Sequence, residues 1–182
     1  MNARLMIFVT LVVIIVVLVC VYFYYLSKLK FFKSRVDSSI SVINDELENR
    51  YNLILETKTS VEKTTKKEVD IFSNLENIKN TNITSYDLDK QITEAINTLY
   101  LIQNDYPKLA EKKEFKETIR KLEESDTKLT AAKSFYNKNN NSLISLLKKF
   151  LPGIVGKFNK ISILPYYDSV DLFEEENKDM EE

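Results

Sequence analysis

The chain has 182 residues, with 26 Lys or Arg against 27 Asp or Glu for a formal net charge of −1, and it contains no histidine and one cysteine. Near-neutral charge argues against a general nucleic-acid binder, because neutralising phosphates needs a basic excess on one face. The missing histidine removes the commonest metal ligand and the usual neutral-pH base, and the lone Cys20 lies in an apolar run where it is no ready nucleophile.

Residues 5–26 pass through Val, Ile, Leu, Phe and Tyr without a charge, and Lys28, Lys30, Lys33 and Arg35 follow at once. A helix rises about 1.5 Å per residue, so roughly 20 apolar residues cover the ~30 Å hydrocarbon core of a bilayer. The run is too long for the apolar region of a signal peptide, and it ends in Val21, Tyr22, Phe23, Tyr24 and Tyr25 rather than in small residues, so the segment is expected to be retained. Val19 before Cys20 is also not the small residue that lipoprotein processing wants. The expected arrangement is a short N-terminus over residues 1–4, a single transmembrane helix over 5–26 and a domain beyond it. Lys and Arg tend to remain cytoplasmic, so the four cations after the span place that domain in the cytoplasm and the chain in the cell membrane as a single-pass protein.

After the anchor about 155 residues remain, enough for one core, and 2 glycines and 3 prolines in the whole chain leave few breaks. Long helices follow. Val36, Ile40, Ile43, Leu47, Ile54 and Val61, with Phe72 and Leu75 further on, recur in steps of three and four and mark one helical face. Arg50, Thr57, Thr64 and Glu68 interrupt that face. They either snorkel to the bundle edge or, for Arg50 and Glu68, meet charged partners that fix how helices align.

The first long helix is expected to stop in the turn-forming stretch 80–85, where Ser85 or Asp87 caps a second helix carrying Leu88, Ile92, Ala95, Leu99 and Ile102. Tyr106-Pro107 ends it. A third helix from about Lys112 carries Phe115, Ile119, Leu122, Leu129, Ala132 and Tyr136. It either runs on to Lys149 or breaks at Asn137, Asn139, Asn140 and Asn141, which have low helix propensity, and in that case Ser142 caps a final helix with Leu143, Leu146, Leu147 and Phe150. Leu151-Pro152-Gly153 closes it. Pro165-Tyr166-Tyr167 then leads into an acidic tail, read as a solvated and disordered segment over 166–182. Each helix must bury its stripe against the others, so the fold class is all-α: one transmembrane helix followed by an antiparallel, four-helix-bundle-like domain over 27–165.

The stretch Ile43-Asn44-Asp45-Glu46-Leu47-Glu48-Asn49-Arg50-Tyr51-Asn52-Leu53-Ile54 resembles the LemA family of bacterial membrane-anchored proteins. So does Tyr106-Pro107 with Leu109, Phe115, Leu122-Glu123, Leu129, Ala132-Lys133 and Phe135-Tyr136-Asn137, and, near the end, Phe150-Leu151-Pro152 and Pro165-Tyr166-Tyr167. The chain departs from the family where Leu55-Glu56-Thr57-Lys58 replaces its Pro-Asn-Leu-Val and where Lys67-Glu68 replaces its His-Glu. Roles resting on that Pro, Asn or His do not carry over, and the first helix is expected to be less kinked. The resemblance implies a helical bundle behind one membrane helix and brings no enzymatic activity with it.

No phosphate-binding glycine loop, Gly-x-Ser-x-Gly or di-iron carboxylate pattern is present, and the Lys66-Lys67-Glu68 cluster reads as a solvated face. The chain is therefore expected not to be an enzyme, and no catalytic, cofactor-binding or metal-binding residue is assigned. The leading expectation is a non-catalytic scaffold or adaptor for protein partners, with Arg50, Tyr106, Phe135, Tyr136, Tyr166 and Tyr167 as candidate partner-binding residues, since Arg and aromatic residues are enriched at interface hot spots. For Tyr106 and Tyr136 the alternatives are a helix end and a core position. The expected partners are the bilayer and one or more proteins, not nucleic acid, and a homo-oligomer built on a coiled coil of the first helix is a further possibility. The alternative function is an outward-facing sensor or receptor domain for a small ligand or peptide.

Overall fold

The computed structural model describes residues 3–66, 69–78 and 83–167, and among them it is all helix and connection. Six helices follow in order: α1 Ala3–Thr65, α2 Asp70–Ile78, α3 Ser85–Asp105, α4 Pro107–Ala110, α5 Lys113–Leu147 and α6 Phe150–Phe158. The glutamate of the Lys66-Lys67-Glu68 cluster and the acidic residues from Asp168 onward lie outside the described residues.

The apolar run and the first amphipathic stripe form one unbroken helix, α1, whose apolar part is long enough to cross a membrane and is not buried within the fold. The helix also runs through Leu55-Glu56-Thr57-Lys58 without interruption. It stops earlier than the stripe predicts, at Lys66 rather than near residue 80. Lys66 takes the left-handed conformation, φ 58°, while its N–H still donates to Glu62 O at 2.9 Å. That is a helix ending made by a lysine where glycine is the usual occupant. Phe72 and Leu75 therefore belong to a separate helix, α2.

The cap of α3 is Thr84, not Ser85 or Asp87: its Oγ1 accepts from Asp87 N at 3.1 Å and donates to Asp87 Oδ2 at 2.7 Å. Asp87 thereby sits in the third helical position, with its carboxylate accepting from the cap's hydroxyl rather than from the cap's backbone N–H as in a capping box. The ending at Tyr106-Pro107 is as expected.

Of the two courses open at the asparagine run, α5 takes the continuous one: it runs unbroken to Leu147, and Ser142 is interior to the helix, where its hydroxyl donates to Lys138 O. Leu151-Pro152-Gly153 opens α6 instead of closing a helix, because Pro152 occupies the first turn, where its missing N–H has no helical partner to lose. The end of α6 is a Schellman motif. Lys160 takes φ 54°, Ile161 N donates to Gly156 O at 3.0 Å, and Lys160 N donates to Lys157 O at 3.2 Å.

The contacts divide the described residues into two units, one of residues up to 38 with 135–166 and one of residues 39–134 with Tyr167. In the first, Leu29, Leu143, Leu146 and Val155 form a core against which Tyr22, Tyr25, Leu26, Phe32, Leu147 and Ile161 pack. Both glycines of the chain lie here. A Cβ on Gly153 would stand 2.7 Å from Leu147 O, and one on Gly156 would overlap the Leu147 side chain, so α6 approaches the end of α5 closely only because both positions lack a side chain.

The second unit is an antiparallel bundle. Ile43, Leu47, Ile54 and Val61 of α1, Phe72 and Leu75 of α2, Ile92 and Leu99 of α3, and Phe115, Leu122 and Leu129 of α5 are all buried. At about 25 cal/mol per Å² of buried apolar surface, this stripe-on-stripe packing is the main source of stability. The two threonines that interrupt the α1 stripe bond to carbonyls of their own helix: buried Thr57 donates to Ile54 O at 2.7 Å, and Thr64 donates to Ser60 O while also accepting from Lys112 Nζ.

Candidate functional site

The first unit holds Phe135, Tyr136 and Tyr166. Tyr136 and Asn140 stand one helical turn apart on α5 and hold the extended segment that follows α6. Tyr136 Oη donates to Pro165 O at 2.9 Å, and Asn140 Nδ2 donates to Leu164 O at 2.8 Å and Pro165 O at 3.0 Å. Tyr166 Oη closes the row by donating to Asn141 Oδ1 at 2.9 Å. Asn140 is fully buried. Its low propensity is thus offset by two tertiary bonds that an aliphatic residue cannot make. Burial, followed by the negative charge of Asp37, pushes the Tyr136 phenol above its usual value and keeps it a donor.

Beside this clamp, Phe135 and Tyr166 keep exposed ring surface. The Arg35 guanidinium lies 5.6 Å from the centroid of Phe135 and 4.5 Å from that of Phe31, within reach of cation–π attraction. Arg35 lies nine residues past Leu26, roughly 14 Å along the helix axis.

The second unit holds Arg50, Tyr106 and Tyr167. Arg50 is only 4% exposed. Its Nη1 donates to Asp126 Oδ1 at 2.9 Å, and its Nε is buried without an acceptor among the described residues. The charged-partner reading holds for Arg50, whereas Glu68 falls outside the described residues. One turn before it, Glu46 accepts from Asn49 Nδ2 at 2.9 Å. Burial works to raise the Glu46 carboxyl, but Ser125, Asn49, Lys128 and Arg50 outweigh it and leave the group below its ordinary value. Tyr100 is pushed up by burial and by Glu123 and Asp126, against the opposing charge of Arg50.

Tyr167 is buried. Its hydroxyl donates to Ser85 O at 3.3 Å, its ring meets Tyr86 edge-on, and the ammonium of Lys133, which pairs with Asp89, lies 5.1 Å from the ring centroid. Tyr106 is the junction of α3 and α4: its N–H donates to Ile102 O and its carbonyl accepts from Leu109 N.

Of the six residues singled out by sequence, the structure thus buries Arg50, Tyr136 and Tyr167 in bonds that hold helices and segments together, and leaves exposed ring area on Phe135 and Tyr166. Asn140 was missed, because an asparagine run signals weakness in a helix and carries no mark of the carbonyls it meets. Among the described residues no group of three or more Asp, Glu, Cys or His is placed to hold a metal ion.

The model of the LemA family matches residues 39–180, which takes in the asparagine clamp, the Arg50 ion pair and both ends of α5. No curated protein matches the chain. With most of its length covered by that match, the chain belongs to the LemA family.

Proposed function

We propose that this protein is a membrane-tethered scaffold or adaptor that works without catalysis. The observation that carries the reading is the division of labour among its notable side chains. Arg50, Asn140, Tyr136 and Tyr167 are buried and spent on internal bonds, while Phe135, beside the Arg35 guanidinium, and Tyr166 present aromatic surface. Such surface is what interface hot spots use. A tether raises the effective concentration of a surface held a fixed distance from the bilayer, so that modest contacts suffice for partner capture. The cations after the apolar run support a cytoplasmic position for the bundle.

The test places a photo-crosslinking phenylalanine analogue at Phe135 or Tyr166, and as a control at Leu101, an exposed residue of α3. In native membranes the full-length chain is expected to give a discrete adduct from the first two positions and not from the third. Adducts of equal yield from all three positions, or none from any, overturn the reading.

A further inference from the structure

The outward face of α6 has a use that neither the fold nor the scaffold reading absorbs. At about 100° per residue, Phe150, Ile154, Phe158 and Leu151 fall within one arc of about 100° on the helix. All four are exposed, Phe150 at 81% and Phe158 at 79%, while Pro152, Val155 and Gly156 face inward. A nine-residue helix with its most apolar arc turned outward departs from α2, α3 and α5, whose apolar stripes are buried.

The height of α6 along α1 identifies what covers that arc. Val155 packs into the core that includes Tyr22, Tyr25 and Leu26, and Asn159 Nδ2 donates to Tyr22 Oη at 3.0 Å. Those three residues are the last turns of the apolar run itself, where aromatic rings favour the headgroup layer. A helix fastened to them sits at the edge of any bilayer that α1 crosses.

Charge agrees with position. The unit containing α6 carries ten Lys or Arg and a single carboxylate, Asp37, although the whole chain is nearly neutral. Lys148 and Lys149 precede the apolar arc, Lys157 lies within the helix and Lys160 follows it, all exposed. An apolar face rimmed by lysines is the design of a helix lying in the interface of an anionic membrane.

We propose that α6 is a second membrane contact: Phe150, Leu151, Ile154 and Phe158 enter the headgroup–acyl boundary of the bilayer that α1 spans, and the flanking lysines meet anionic lipid headgroups. The inference rests on the reading that α1 spans a bilayer. Two anchors on one unit fix the inclination of that unit, where a single helix leaves it free to tilt.

The experiment uses the full chain in phosphatidylcholine–phosphatidylglycerol vesicles with an environment-sensitive fluorophore on one cysteine. The native Cys20 reports on α1. In a Cys20→Ser background, Phe158→Cys and Phe150→Cys report on α6, and Leu101→Cys is the aqueous control; all three are exposed positions that leave the core intact. The labels at 150 and 158 should lose emission to lipids with a nitroxide near the headgroup more than to lipids with one at the chain end, and should be shielded from aqueous iodide. The label at 101 should be quenched by aqueous iodide and by neither lipid nitroxide. Quenching of Cys20 by lipid nitroxides without quenching at 150 and 158 overturns the proposal and leaves α1 as a span. Absence of lipid quenching at Cys20 as well removes both readings. Shielding from iodide at 150 and 158 without lipid quenching assigns the face to a protein surface and also overturns it. Equal shielding in vesicles of phosphatidylcholine alone refutes the role given to the lysines.

Discussion

Removing Asp126 tests whether the Arg50 ion pair holds α1 to α5. Losing one member of a fully buried pair costs about 3–5 kcal/mol, whereas an exposed pair is worth about 0.2–1 kcal/mol. The pair here is mixed, since the Arg50 side chain is 5% exposed and that of Asp126 is 65% exposed. Solvent therefore screens it from one side only, and Asp126→Ala should cost about 1–3 kcal/mol, between those limits. Arg50→Met keeps the aliphatic stem but removes both the charge and the Nε that lacks an acceptor, so Asp126→Ala should cost less than about 0.5 kcal/mol in that background. The assay is urea unfolding of the four members of the cycle in detergent, by far-UV circular dichroism, with the slope checked for constancy. Additive costs in the double variant, within about 0.5 kcal/mol, refute the claim that the two side chains act as a pair.

Asn140→Ala removes two donated hydrogen bonds and should destabilise by about 2 kcal/mol, with faster hydrogen exchange concentrated in residues 161–166; unchanged exchange there rejects the clamp. Leu122 is buried at the centre of the α5 stripe, and Leu122→Asp should cost several kcal/mol by order of magnitude, so melting at the wild-type temperature refutes the stripe assignment. Tyr51, Tyr100 and Tyr136 all hold their phenolic protons more tightly when folded, chiefly through burial. Stability from these groups is therefore fully present below the unfolded value of about 10 and is lost as pH rises through the higher folded values. Denaturant midpoints measured across that range should fall, less steeply for Tyr136→Phe; a midpoint that rises with pH contradicts the sign.

The periodic positions were legible because burial in a bundle imposes the same three-four spacing on sequence and structure: Ile43, Leu47, Ile54, Ile92, Leu99, Phe115, Leu122 and Leu129 were all readable as core before the fold was known. The helix boundaries were less so. Lys66 ends α1 in a left-handed conformation that nothing about a lysine announces, and Pro152, normally a stop, begins a helix because the chain has already turned at Lys148 and Lys149. Propensity is a local quantity, whereas the asparagine run survives inside α5 through carbonyls that lie about 25 residues further along the chain. The same gap applies to the candidate residues. Composition marked the aromatics and Arg50, but only the packing separates the buried Tyr136 and Tyr167 from the exposed Phe135 and Tyr166.

The central claim, a helical bundle tethered by one span with its C-terminal part in the cytoplasm, is tested most directly by protease protection of the full chain in its native membrane. The chain should stay with the membrane after alkaline carbonate washing, and protease should remove the bundle from inside-out vesicles while sparing it in right-side-out ones. Release by carbonate contradicts the tether, and the opposite pattern of digestion contradicts the orientation and with it the cytoplasmic adaptor.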